Sequence, residues 1–260
     1  MTMRKGLGTA LAAAAFCLLG ALFFFTYSSM KEQRRQKTCV GVKVEFADPY
    51  TFVTPEDVEQ YLKEDYGAYV GQRLDSIDLL KVEKILDGKS AIMKTDAFTT
   101  PDGYLNIRLF QREPVVRFQK GGYGFYADSE GFLFPLQNNY TSRVPIIDGE
   151  IPLEVKAGFK GRPKSDKENE WLSGAIELAN YISSSATWSE NISQISVRPN
   201  GDLVMVPRQG KEKFIFGKLD DIPGKFWKME KYYTSIAPAR EPGYYSSVNV
   251  KYKGQIVCRK

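Results

Sequence analysis

An uncharged apolar run at residues 6–27, GLGTALAAAAFCLLGALFFFTY, constrains this chain more than any other stretch. As a helix it would reach about 33 Å at a rise of about 1.5 Å per residue, enough for a bilayer core of about 30 Å. In hydrocarbon the backbone must satisfy its own hydrogen bonds, so one isolated span is a helix. A cleaved signal peptide is the alternative, but the run is long and Thr26-Tyr27-Ser28-Ser29-Met30 offers no Ala-x-Ala-like site. Cys39 lies beyond a charged segment rather than at the end of the run, which argues against lipoprotein processing. The reading is a permanent single-pass anchor. Residues 1–5 form a short segment before it and 28–39 a juxtamembrane linker after it.

The formal net charge is +5, from 36 Lys/Arg against 31 Asp/Glu. Arg4, Lys5, Lys31, Arg34, Arg35 and Lys37, set against Glu32 alone, already give that +5 within the first 37 residues. The rest is neutral. The flanking cations suit anionic lipid headgroups, and they fall so evenly on the two sides that they do not fix the orientation of the span. Nucleic-acid binding, which needs a basic face, loses its support. The sequence contains no histidine, which excludes Ser-His-Asp, Cys-His and histidine acid–base catalysis as usually built. With only Cys17, Cys39 and Cys258 as thiols, the usual zinc sites are absent too. No metal, cofactor or small-molecule substrate is expected. A Cys39–Cys258 disulfide would need an oxidising compartment, and pairing cannot be deduced from sequence.

Periodicity places a strand at 42–46, where Val42, Val44 and Phe46 alternate with Lys43 and Glu45. Thr54-Pro55-Glu56-Asp57 marks a helix start, with Val58, Tyr61 and Leu62 as its apolar face. A second helix begins near Asp78 and runs through Val82, Ile85 and Leu86 to Gly88. Strands at 91–98 and 104–110 are joined by Thr100-Pro101-Asp102-Gly103. Strand, helix, helix, strand, strand makes an economical α+β module. Pro114 marks an edge or a junction, and short strands with turn signals follow it. A helix is expected over 167–183, a hairpin at 192–206, a strand at 214–216, and a helix carrying Ile222, Phe226, Met229 and Tyr233. The chain closes with strands at 248–252 and 255–258.

In order and spacing these elements resemble the FtsQ/DivIB family of bacterial cell-division proteins. The landmarks are Arg112-Glu113-Pro114-Val115, Ala127-Asp128-Ser129-Glu130-Gly131, Val144-Pro145-Ile146-Ile147-Asp148-Gly149 and Val248-Asn249-Val250-Lys251-Tyr252. The resemblance implies an α+β architecture: one transmembrane helix, a POTRA-like β-α-α-β-β module at 40–113, and a mixed antiparallel β-rich domain with two helices at 114–260. It implies a non-enzymatic scaffold that binds small coiled-coil division proteins of the FtsB/DivIC and FtsL kinds and helps position septal peptidoglycan synthesis. Location would be the inner (cytoplasmic) membrane at the division septum, with the short segment 1–5 cytoplasmic and the carboxy-terminal domain periplasmic. The segment 152–167 fits no landmark and reads as loop. The rival readings are a POTRA-bearing assembly factor for exported proteins and a membrane-anchored cell-wall enzyme.

Several motifs have a plain structural reading beside a sharper one. Ser28-Ser29-Met30-Lys31 fits Ser-x-x-Lys but has no companion motif and lies at the membrane exit. Gly121-Gly122-Tyr123-Gly124 reads as a hairpin turn rather than a phosphate loop, since no helix follows at once. The pairs Glu56-Asp57 and Asp220-Asp221 stand at helix starts, where acids favour the dipole. Tyr233 reads as core, while Tyr244 and Tyr245 divide evenly between core and interface.

The terminal strand is the expected partner site: Val248, Asn249, Val250, Lys251 and Tyr252. Val248, Val250 and Tyr252 would share one face, Asn249 and Lys251 the other. A strand so near the chain end should lie at the sheet edge and accept a partner strand. The resemblance implies that the basic-aromatic pair Lys251-Tyr252 contacts the partner. The competing reading is that the apolar members only close the core.

Overall fold

The computed structural model describes residues 18–28 and 37–260. Residues 18–28 are helical, with Leu18, Leu19, Leu22, Phe23, Phe24 and Phe25 all exposed. They belong to the expected span, whose residues 6–17 lie outside the described residues, as do all of Ser-x-x-Lys but Ser28. Among the described residues, no helix is long and apolar enough to cross a membrane. The chain divides into two compact units, one reaching Phe110 and the other made of Tyr50–Phe52 with Gln111–Lys260.

The first unit has the expected β-α-α-β-β order: β1 (Gly41–Phe46), α1 (Pro55–Asp65), α2 (Leu79–Asp87), β2 (Ile92–Thr99) and β3 (Tyr104–Gln111). Local chemistry sets its helix starts. The Thr54 hydroxyl accepts the Asp57 N–H at 3.2 Å while the Asp57 carboxylate accepts the Thr54 N–H at 2.9 Å. That capping box satisfies two donors the helix itself leaves orphaned, and Pro55 occupies a position whose N–H would be unused. Asp78 opens α2 by accepting the Lys81 N–H at 3.0 Å. The sheet order is β1-β3-β2, with β1 parallel to β3 and Val42, Val44 and Phe46 opposite Leu105, Ile107 and Leu109. Val58, Leu62, Val82, Leu86, Ile92 and Leu105 are fully buried between helices and sheet.

The second unit is one nine-stranded sheet. Its strands are β4 (Pro114–Lys120), β5 (Tyr123–Asp128), β6 (Leu133–Pro135), β7 (Ile146–Gly149), β8 (Ile192–Val197), β9 (Leu203–Pro207), β10 (Lys213–Gly217), β11 (Ser247–Asn249) and β12 (Val257–Arg259). They lie in the order β12-β11-β10-β9-β8-β7-β4-β5-β6. Three helices accompany them: α3 (Asp166–Ser184), α4 (Ala186–Asn191) and α5 (Ile222–Lys231). The expected mixed antiparallel β-rich domain is thus a mixed sheet, with three α-helices in place of the two expected and more parallel pairing than that reading implied. The pairs β4/β7, β7/β8 and β10/β11 are parallel. Parallel neighbours need a crossover, and α3 supplies it between β7 and β8, α5 between β10 and β11.

The core gathers Val116, Phe118, Ile147, Ile195, Met205 and Phe214 from the strands against Leu172, Leu178, Ile182, Phe226 and Met229 from the helices. Gly121 and Gly122 form the β4–β5 turn, with Lys120 paired to Tyr123. Residues 150–165 form a loop that is packed rather than solvated, since Ile151, Leu153 and Val155 are buried in the core. At Gly149, φ is +89° and an added Cβ would stand 2.4 Å from the Val197 carbonyl oxygen, so only glycine fits the close β7–β8 approach. Helix α5 passes into a π-helical turn at Tyr232–Ile236, where Tyr232 is buried in the core and Tyr233 is partly buried against it, its ring centroid 5.6 Å from that of Phe214. Cys39 and Cys258 are free thiols.

Candidate functional site

The terminal segment differs from the expected five-residue edge strand. Strand β11 stops at Asn249 and lies between β10 and β12, with Val248 opposite Phe214 on one side and Cys258 on the other. The sheet edge is β12, which pairs with β11 alone. The reason is a tight return at residues 252–254 that folds the last residues back over β11. A partner strand would meet β12 main chain, not that of 248–252.

The five expected residues divide by environment. Val248 and Val250 are wholly buried, and the Val250 N–H donates to the Ile215 carbonyl at 3.1 Å. Both therefore close the core. Asn249 caps the bend, its side-chain oxygen accepting the Lys251 N–H at 3.1 Å. The Lys251 ammonium donates to the Asp202 carboxylate at 3.0 Å and stands 5.3 Å from the Tyr252 ring centroid. Tyr252 is 45% exposed and is the one large apolar surface of the five open to a partner. Beside the return, Trp227, Lys231, Ile236, Lys253 and Ile256 line an open groove of about 580 Å³, and Trp227 is 57% exposed.

Charge is arranged around the bend. Burial works to raise the Asp202 pKa, but the Lys251 hydrogen bond and charge, Asn200 and Lys218 together hold it below the ordinary carboxylate value. The same Asp202 contact raises the Lys251 pKa. The buried Lys228 donates to the carbonyls of Val250 and Tyr252, the latter at 2.9 Å. Sequence reading missed Lys228, Asp202 and the β12 edge. The available signal was two lysines, Lys225 and Lys228, interleaved with the apolar positions Ile222, Phe226 and Met229 of α5.

Asp220, Asp57, Tyr244 and Tyr245 have structural partners. Lys225 is buried and donates to the Lys218 carbonyl at 2.8 Å and to the Asp220 carboxylate. Asp221 takes a left-handed conformation, φ +44°, at the start of α5. Asp57 is spent in the capping box. Tyr244 and Tyr245 meet edge to face at 4.9 Å; Tyr245 packs towards Tyr232, and Tyr244 stays exposed 4.4 Å from the Lys260 ammonium. Among the described residues, no group of three acids or thiols could hold a metal ion.

A mixed α+β chain that pairs a POTRA-like module with a sheet domain closing on a terminal hairpin is what these units make, and a POTRA-like domain model matches residues 37–110. The model of the family described as FtsQ/DivIB, C-terminal related, matches residues 113–259, more than half of the chain. The chain belongs to that family, a family of bacterial cell-division proteins. No curated protein matches it.

Proposed function

We propose that this chain is a non-enzymatic scaffold of the division machinery. In this reading it binds small coiled-coil partners of the FtsB/DivIC and FtsL kinds at its terminal hairpin and so helps position septal peptidoglycan synthesis. The observation that carries the reading is the juxtaposition of an edge strand, β12, with an exposed Tyr252 on a fixed bend. An edge supplies unpaired main-chain groups for a partner strand, and an aromatic beside it supplies a specific anchor. Val248 and Val250 act from within the core, Asn249 and Lys251 by holding the bend, and Tyr252 by contact. The span at 6–27 anchors the protein in the inner membrane, with residues 28–260 outside the cytoplasm.

The enzyme reading lacks a nucleophile and base: there is no histidine, and Asp57 and Asp220 are engaged at their helix starts. The test is purification of the full-length protein from detergent-solubilised membranes, as wild type and as Tyr252→Ala. The wild type should recover short single-span coiled-coil proteins, and Tyr252→Ala should lose them at an unchanged melting temperature. Recovery of unfolded exported proteins instead would support the assembly-factor reading. Equal recovery of the coiled-coil proteins by both forms would remove the hairpin as their site.

A further inference from the structure

Three elements converge on Val250–Tyr252. Lys228, 6% exposed on α5, donates to the Val250 and Tyr252 carbonyls. Asp202, 7% exposed in the β8–β9 turn, accepts from Lys251 at 3.0 Å while Asn200 donates to it at 3.1 Å. Beneath them Gly217 ends β10 with φ +83°, where an added Cβ would stand 2.6 Å from the Lys251 Cβ. The segment thus runs on beside β10, fitting closely against it only because residue 217 is glycine, and the Lys228 ammonium and the Asp202 carboxylate both bond to it.

Burying an ammonium opposes folding at neutral pH, because desolvation pushes the Lys228 pKa below the ordinary lysine value. A methionine of similar length would avoid that penalty, so Lys228 is a poor choice for bulk stability. Its donors are aimed at two carbonyls of one three-residue bend. That use specifies a local conformation.

We propose that Lys228 and Asp202 are positioning residues for the partner site, fixing Val250–Tyr252 in the conformation that presents the Tyr252 ring. This rests on the proposed reading of the hairpin as the partner site. Neither residue touches the partner; both act through Tyr252. A pre-ordered bend spares the complex the cost of ordering it on binding.

The test uses full-length protein in detergent and, as probe, the purified FtsB/DivIC-like protein of the same cell. Lys228→Met should speed amide hydrogen exchange at residues 250–254 while α5 and β9 exchange as before. It should weaken the probe's affinity by roughly three- to tenfold. Because it acts through Tyr252, the double variant with Tyr252→Ala should bind no more weakly than Tyr252→Ala alone. Asp202→Asn, which keeps the side-chain shape, gives the same three readouts should Lys228→Met not fold. Unchanged exchange at 250–254, or a loss that adds fully to that of Tyr252→Ala, overturns the positioning role. If Tyr252→Ala binds the probe as tightly as wild type, the hairpin reading fails, and the exchange data still judge whether Lys228 holds the bend.

Discussion

Asp128 stands at the end of β5, where one carboxylate serves three partners. Its Oδ2 accepts from Arg112 Nη1 at 2.8 Å, and its Oδ1 accepts the N–H groups of Glu130 and Phe132 at 3.0 and 2.9 Å. The side chains of the pair are 13% and 9% exposed, and the guanidinium also lies 3.5 Å from the Phe132 ring centroid. Asp128→Ala would strand a buried cation, which costs about 3–5 kcal/mol, and would free two turn N–H groups that can partly reach water. At about 2–4 °C per kcal/mol for a domain of this size, the melting temperature should fall by roughly 6–20 °C. Asp128→Asn keeps the turn acceptor and loses only the charge, so it should fall by about half as much. Trp171, Trp188 and Trp227 are the only tryptophans and all lie in the second unit, so tryptophan fluorescence during thermal or urea unfolding reports that unit alone. Below the transition, the variant should bind the coiled-coil partner normally. A melting temperature within about 3 °C of wild type would refute the account of the pair. Lost division with folded Asp128→Ala at its normal level and with normal partner binding would reopen the enzyme reading.

Gly217→Ala should destabilise the second unit by about 1–3 kcal/mol, read from its urea midpoint, because the new Cβ meets Lys251 at a positive φ. Burial, then the Glu212 carboxylate, push the Tyr232 pKa from 10.0 up to about 12. A folded-state pKa raised in this way gives stability that is complete below pH 10.0 and lost as the pH climbs through about 12. Tyr232→Phe should flatten that alkaline decline, measured by unfolding midpoints across the window. A carboxy-terminal reporter active only after export should be active, and protection of the carboxy-terminal domain from protease added to spheroplasts would contradict the topology.

Features governed by neighbours in sequence were legible. Thr54-Pro55-Glu56-Asp57 named a helix start because its whole capping chemistry spans four residues. Asp78 and the Gly121-Gly122 turn were readable for the same reason. Partnerships across the chain were not. Arg112 and Asp128 sit in two separate family landmarks, and only the fold joins them as one ion pair. The sheet order escaped because α3 and α5 each read as a helix without showing that it returns the chain parallel to its previous strand. Alternation at 248–252 gave the inward side of Val248 and Val250 correctly but said nothing of β12 covering the strand. Tyr233 packs against the core as its helical spacing implied, but the burial of its neighbour Tyr232 was not legible.

The central claim is that division partners meet this chain at the terminal hairpin. The direct measurement is site-specific photocrosslinking in dividing cells, with the crosslinker at Val257 on the edge strand β12 or at the exposed Phe98 of the first unit. The account predicts that Val257 captures a short single-span coiled-coil protein and that Phe98 does not. Capture of that protein from Phe98 with none from Val257 would contradict it.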